Sequence, residues 1–178
     1  MLKLRRTPWP PELAEAVRAA ADKEGTGRET VLAAVQVDGA GWAAGSRAAL
    51  YLPDGGGLRR LGWENVERAE WNADESTLRV WETADFGTPM PRTDLRIDDP
   101  GRFGQLVRER ISASVLVQRH VRLVGKTGVR IVARRSPAHR DAEVTWTFVL
   151  DQGLDPDRPG LLDDAERALA ALRDELGV

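Results

Sequence analysis

The sequence contains no cysteine, and only two of its 178 residues are histidine. Without thiols the chain has no disulfide bonds, no cysteine nucleophile and no cysteine-ligated metal. His120 and His139 lack a second imidazole or a carboxylate at the spacing of metal ligands, so we predict no metal site. The serines lack the context of a nucleophile elbow and the carboxylates are scattered. We therefore predict no catalytic residue and no cofactor, and a small-molecule enzyme is only our third hypothesis.

Long apolar runs are also absent, because no stretch approaches the roughly 20 apolar residues that span a bilayer. The first residues, Met1 to Pro8, lead into charge rather than into the apolar core of a signal peptide. We therefore expect a cytoplasmic protein with no transmembrane segment. Its length fits one compact unit over residues 1–178, since domains commonly contain about 100–200 residues.

Two short glycine motifs fail as nucleotide-binding signatures. Gly125-Lys-Thr127 looks like the end of a phosphate-binding loop, but His120 occupies the position where that loop needs glycine. Gly39-Ala-Gly41 fits a dinucleotide fingerprint, but a predicted strand follows it where the fingerprint requires a helix. Hairpin turns explain both motifs better.

Period-two alternation over residues 28 to 97 predicts an antiparallel meander. The strands are expected at residues 30–37, at 46–52, in short pieces of 58–82, and from Leu95 to Ile97. Turns separate them at intervals too short for crossover helices, which excludes a parallel doubly wound sheet. A short helix from Pro10 precedes the meander, and Asp98-Asp-Pro100 starts a second helix that we end near Gln118. Phe103 and Leu106 fall on the apolar face of this second helix.

The C-terminal part predicts a hairpin, one more strand and a helix. Val121 to Leu123 and Val129 to Ala133 flank the turn at residues 125–128, and a third strand covers Glu143 to Leu150. Apolar residues then repeat at alternating three and four between residues 162 and 176. This amphipathic helix is expected to pack on the sheet, with a homodimer seam through the same helix as the alternative. The predicted fold class is α+β.

The segment 102–140 is strongly basic, with ten Lys or Arg and one acid in a chain whose net charge is −2. A local cationic field selects anionic partners. If Val129 and Ile131 face inward, then Arg122, Arg130 and Arg134 face outward, and antiparallel register can set Arg122 opposite Arg130. Like charges in that position are destabilising. Either an acid of this chain or an external anionic ligand should therefore lie between them.

Two explanations of this basic face stay open. Glu143 has the parity to lie opposite Arg134, and the residues after Arg140 contain ten acids and three arginines, so the face can be neutralised internally. Otherwise the face is a binding surface. Its predicted contact residues are Arg119, Arg122, Lys126, Arg130 and Arg134.

The run from Leu58 to Trp71, with Trp63-Glu-Asn-Val66 at its centre, resembles bacterial pleckstrin-homology-like (PH-like) domains. There a Trp-acid-x-Val segment runs between consecutive strands of a small barrel. Thr77-Leu-Arg-Val80 continues the likeness. The whole chain resembles uncharacterised actinobacterial proteins that place such a module before a basic helix-and-hairpin region.

The resemblance covers residues 28–120, where a helix closes the barrel, and leaves residues 121–178 as appended strands and a C-terminal helix. It implies a binding or scaffolding module rather than an enzyme. Lipid-binding members present basic residues in their first hairpin loop, but residues 38–42 here contain none, which does not favour phosphoinositide binding.

The leading hypothesis is a cytoplasmic binding or scaffolding module that recognises a protein or another acidic surface. The alternative is sequence-independent nucleic-acid binding through the same basic face, residues 102–140. Phosphate neutralisation makes nucleic-acid affinity fall steeply with salt, so ionic strength separates the two hypotheses.

Overall fold

The structure is a computed structural model that describes residues 9–176, and in that range it contains three helices and ten strands. In chain order they are α1 (Pro11–Lys23), β1 (Ala33–Val37), β2 (Gly41–Gly45), β3 (Ala49–Asp54), β4 (Gly57–Gly62), β5 (Val66–Asn72), β6 (Thr77–Glu82), β7 (Arg92–Arg96), α2 (Gly101–Ser114), β8 (Val115–Val124), β9 (Thr127–Arg134), β10 (Thr145–Leu150) and α3 (Leu161–Leu176). A short 3₁₀ turn, Trp63–Asn65, separates β4 from β5.

The first two sheets are antiparallel and enclose one core with helix α2. Their strand orders are β1-β2-β3-β4 and β5-β6-β7. Both sheets, helix α2 and the 3₁₀ turn contribute fully or nearly fully buried apolar side chains, among them Leu50, Val80, Phe103 and, from the turn, Trp63. The helical periodicity correctly predicted the buried face of α2, because Phe103 lies on it together with Leu106.

Helix α1 covers the outer face of the first sheet. Leu13 and Val17 of the helix pack with Ala44, Ala49 and Tyr51 of the sheet in a second apolar cluster. The first sheet is therefore buried on both faces, which explains its high content of small apolar residues.

Strand β2 was missing from the sequence prediction, which treated residues 38–41 as a turn between only two strands. The turn is present, but Gly41–Gly45 returns from it as a strand paired with β1. Apart from Trp42 its residues are Gly or Ala, because helices α1 and α2 pack on its two faces. A Cβ added to Gly45 would lie 2.7 Å from Leu106 Cδ2, so this position has no room for the branched side chains that normally identify a strand.

The third sheet has the order β10-β9-β8 and carries helix α3 on one face. Val129 and Ile131 of β9 pack there with Ala165 and Leu172 of α3, as the sequence predicted for this amphipathic helix. The opposite face of β9 lies against β5, which reaches it through Glu67. Strand β9 is consequently buried on both faces for most of its length.

The α+β class, the antiparallel sheets and the C-terminal helix are confirmed. Within residues 9–176 strand pairing forms three separate sheets and does not close a barrel. Helix α2 ends at Ser114, four residues before the predicted Gln118, because the β-branched residues from Val115 onward continue directly as β8. No helix in the described part of the chain is long and apolar enough to cross a membrane.

Candidate functional site

Two of the five predicted contact residues are neutralised inside the protein. Arg134 is only 2% exposed, and its Nη2 donates to Glu67 Oε2 at 3.0 Å and to the Glu67 carbonyl at 2.9 Å. Arg134 Nη1 donates to Ser114 Oγ at 3.2 Å. Arg130 Nη2 donates to the other carboxylate oxygen, Glu67 Oε1, at 2.8 Å. One buried carboxylate therefore holds both arginines of β9.

A β-bulge aims Glu67 at the third sheet. Val66 pairs with Glu82 and Arg68 with Trp81, which leaves Glu67 as the extra residue of β5 without a partner in the ladder. A bulge redirects a side chain and frees its backbone groups. Here it turns the Glu67 carboxylate towards β9 and leaves its carbonyl free to accept from Arg134.

These contacts correct three expectations about the basic face. Arg134 does not face outward, and the residue opposite it on β10 is Thr145 rather than Glu143. Arg122 lies opposite Gly128 instead of Arg130, and the residue opposite Arg130 on β8 is His120.

The physical reason for the register error is the hairpin turn. Val124 pairs with Thr127, so the turn has two residues instead of the predicted four, and the register shifts again between Arg122 and Val124. The acid that neutralises the arginines was missed because Glu67 is more than 60 residues away in sequence. The structure buries two consecutive residues of β5, Val66 and Glu67, which strict alternation along a strand does not predict.

The other three predicted residues lie in the exposed part of the β8–β9 hairpin. Arg119 is half-exposed and forms a two-pronged ion pair with Glu175 of α3, with Nη2 at 3.2 Å from Oε1. The hydrogen bond and charge of Arg119 hold the pKa of Glu175 below its ordinary value. Arg122 and Lys126 are exposed, and neither makes an ion pair with any residue from 9 to 176.

Besides Glu175, a second acid borders this exposed group. Asp151 Oδ2 lies 2.8 Å from His120 Nε2 and accepts the Gly128 backbone N–H at 2.8 Å. The hydrogen bond with His120, and next the one from Gly128, lower the pKa of the Asp151 carboxyl. The hairpin end thus combines unpaired cations with one fixed carboxylate at its margin.

We define the hairpin patch as Arg119, Arg122 and Lys126. All three residues are exposed on the hairpin, and Arg134 is separated from them in the interior. Arg122 and Lys126 lie at the turn end of the hairpin. Arg119 lies in the middle of β8, and its odd spacing from Arg122 places its side chain on the opposite face of the strand, the face that carries α3. Strands β8 and β9 pair from Val117 to Arg122 without interruption, and the register shifts once more before the turn, between Arg122 and Val124. The patch can attract carboxylates or phosphates without first breaking an ion pair at Arg122 or Lys126.

A second polar cluster lies far along the chain, and its contacts are structural. Arg60 Nε donates to Glu29 Oε1 at 2.8 Å, and Ser46 Oγ donates to the other oxygen of Glu29. Burial raises the pKa of Glu29, but the hydrogen bonds from Ser46 and Arg60 and the charge of Arg60 outweigh it and lower that pKa. Ser46 Oγ also accepts the backbone N–H groups of Ala48 and Ala49. The hydroxyl is locked into the β2–β3 turn and is not placed as a nucleophile.

Among the described residues, no three His, Asp or Glu side chains converge as a metal site. No protein-family model matches the chain, and no curated protein or solved structure is significantly similar to it. The hairpin patch and its surroundings are therefore the basis of the functional proposal.

Proposed function

We propose that the protein is a cytoplasmic, non-enzymatic binding module that recognises an acidic protein surface through the hairpin patch. The observation that carries the proposal is the exposure of Arg122 and Lys126, without an ion pair in the described part of the chain, at the end of the paired β8–β9 hairpin. Arg119 lies on the opposite face of β8 and adds to the positive charge of the hairpin, where its solvent-exposed pair with Glu175 is weak in water. Arg130 and Arg134 hold the hairpin in place instead of contacting the partner.

We further propose that residues 28–120 form a PH-like unit, which agrees with a role in binding or scaffolding. Support comes from the seven antiparallel strands in sheets of four and three and from helix α2, which packs into the core between them. In this proposal the two sheets face each other across that core without continuous strand pairing. Arg122 and Lys126 lie outside the unit, on the hairpin that follows it.

Nucleic-acid binding through the same face is the alternative. Arg122 and Lys126 supply two cations on one end of the hairpin, so their contacts with duplex DNA correspond to a slope of log affinity against log salt of about −1.8. The fixed carboxylate of Asp151 borders the patch and would repel a continuous phosphate backbone. A protein partner with separate carboxylates can avoid that repulsion, which favours the acidic protein surface.

The experiment titrates the protein against two labelled probes, an acidic Glu-Ser dodecapeptide and a duplex DNA of similar charge, at about 50 mM and about 200 mM salt. We expect the peptide to bind more tightly than the DNA at both salt concentrations. The double variant Arg122→Gln/Lys126→Gln should weaken peptide binding by about tenfold, which corresponds to about 1.4 kcal/mol.

The matched control is Arg18→Gln/Lys23→Gln, which removes one exposed arginine and one exposed lysine from helix α1. It should bind the peptide as the unmodified protein does. Tighter binding of DNA with a steep loss at higher salt would support the nucleic-acid alternative instead. If neither probe binds at the lower salt concentration, the proposal is wrong.

A further inference from the structure

Strand β10 is an edge of the third sheet, and its outer side borders an open groove. The strand pairs only with β9 among the described residues. A cavity of about 560 Å³ is lined by four consecutive residues of this strand, from Thr145 to Phe148. A second cavity of about 290 Å³ is lined by the next stretch, from Phe148 to Leu150. Together the cavities follow the whole length of the strand, which we call the β10 groove.

The backbone of β10 presents unused hydrogen-bonding groups to this groove. Asp151 N donates to the Gly128 carbonyl, which identifies this opposed pair as a hydrogen-bonded one. Such pairs alternate along an antiparallel ladder, so the N–H and C=O groups of Thr147 and Val149 also point to β9. Those of the three residues in between point away from it. These are Trp146, Phe148 and Leu150.

No backbone hydrogen bond from another segment of residues 9–176 satisfies those three outward residues. The opposite wall of the groove is the β6–β7 connection, residues 83–91, which contributes Phe86, Pro89 and Pro91. The Phe86 ring meets the Phe148 ring edge to face at a centroid distance of 5.8 Å. The wall is therefore held against the strand by aromatic packing, yet it leaves the strand's edge free.

The side chains of the groove define the chemistry of an occupant. Apolar surface comes from the rings above and from Leu162 at the start of α3, which is 43% exposed. The buried hydroxyl of Thr147 lies in the groove without a hydrogen-bond partner. Asp85 and Glu166 line the larger cavity, and no Lys or Arg does. The groove thus offers apolar contacts and negative charge.

We propose that the β10 groove binds an extended peptide segment with alternating apolar and basic side chains, which adds as a strand to the free edge of β10. Strand addition satisfies the outward N–H and C=O groups, and alternate side chains of the added strand reach the groove walls. Asp85 and Glu166 select basic side chains by charge complementarity. The other edge of the sheet, β8, is basic and exposed at Arg119 and Arg122. This proposal does not depend on the function of the hairpin patch.

Amide hydrogen exchange, measured by NMR on the full chain, tests the proposal. The probe is the octapeptide Val-Lys-Val-Arg-Val-Thr-Val-Lys, added in excess. We expect exchange at the amides of Trp146, Phe148 and Leu150 to slow by roughly tenfold. The amides of Thr147 and Val149, which already donate to β9, should change much less, so that the strand contains its own control.

Charge and backbone controls complete the test. The same peptide with every internal amide N-methylated has no internal N–H to donate on either edge and should give no protection. Glu166→Lys should weaken binding of the unmethylated peptide, whereas Glu12→Lys, an exposed charge reversal on helix α1, should not.

Three results would overturn the assignment. Absence of alternating protection with the octapeptide would show that the edge does not accept a strand. Equal protection by a Val-Glu octapeptide would contradict the selection for basic side chains. Protection of the same amides that rises with protein concentration, without any peptide, would mean that a second copy of the chain occupies the groove.

Discussion

Two pairs of cations on the same hairpin meet opposite surroundings. Arg130 and Arg134 share the carboxylate of Glu67, which is buried together with Arg134. Arg122 and Lys126 lie a few residues away and are exposed, with no ion-pair partner in the described residues. The net charge of the segment therefore does not show which of its cations are available to a partner. A cation is available only where no acid from another part of the chain pairs with it.

The buried pair also costs free energy, because both charges lose their contact with water. Replacement of such pairs by apolar residues is often neutral or stabilising, but removal of one partner leaves an uncompensated charge. The cluster at Glu67 therefore contributes to the orientation of the third sheet more than to the stability of the fold. It fixes the third sheet against β5 in one position, and this position determines where the hairpin patch points.

The largest effect should follow from Glu67→Gln, which removes the charge but keeps the shape. Arg134 would then be a buried cation without a counter-ion. We expect the free energy of unfolding to fall by about 3–5 kcal/mol. Urea unfolding, followed by tryptophan fluorescence, measures it.

Glu70→Gln is the matched control on the same strand, since Glu70 pairs with Arg68 in solvent. It should change the free energy of unfolding by less than about 1 kcal/mol. Equal effects of the two variants would mean that burial of the Glu67 cluster has no energetic consequence.

A smaller effect should distinguish the two arginines that share Glu67. The side chain of Arg134 is 3% exposed and that of Arg130 is 36% exposed. Arg134→Gln should therefore lower the free energy of unfolding by about 2–4 kcal/mol. Arg130→Gln should lower it by no more than about 1 kcal/mol, because solvent screens this pair. The same urea experiment measures both losses. A larger loss for Arg130→Gln than for Arg134→Gln would contradict the assignment of Arg134 as the buried partner that holds β9 against Glu67.

The acid limb of the stability profile should report the carboxylate at the hairpin end. The folded pKa of Asp151 lies below its ordinary value of 3.8, first through the hydrogen bond with His120. A depressed pKa stabilises the fold above the unfolded pKa, and this contribution is lost as the pH falls through the folded pKa. Asp151→Asn should therefore be less stable than the unmodified protein above about pH 4, and the difference should shrink below it. The measurement is the free energy of unfolding of both proteins at several pH values. A difference between the two proteins that stays the same at every pH would contradict this prediction.

The smallest effect on stability should come from the exposed pair. Arg122→Gln/Lys126→Gln removes two cations that contact no acid in the described chain, so the free energy of unfolding should change by less than about 0.5 kcal/mol. Thermal unfolding checks this before the variant is used in binding experiments. A large loss would show that these side chains support the fold and would remove them from the proposed site.

Sequence patterns predicted those parts of the molecule that depend on local periodicity. The buried face of α2 follows from the spacing of Phe103 and Leu106, and the inward positions of β9 follow from Val129 and Ile131. These predictions succeed because the period of a helix or strand alone determines which of its residues share a face.

The site was harder to predict, because it depends on contacts between elements. The sequence indicated that the arginines needed an acid, but it pointed to Glu143 and the C-terminal acids. The bulge that presents Glu67, and the two-residue turn that moves Arg122 away from Arg130, have no strong local signal. The sequence prediction missed strand β2 for a related reason. Leu106 of α2 packs so closely on Gly45 that this position has no room for the branched side chains typical of a strand.

The most direct test of the contrast is the exchange of guanidinium protons with water, observed by NMR in one sample for all arginines of the hairpin. Arg134 should exchange most slowly, because its donors bond to Glu67 and Ser114 in the interior. Arg130 should be intermediate and Arg122 should exchange at the rate of a free side chain. Fast exchange at Arg134, or protection at Arg122 equal to that of Arg134, would contradict the division of the basic segment into a buried anchor and an exposed binding patch.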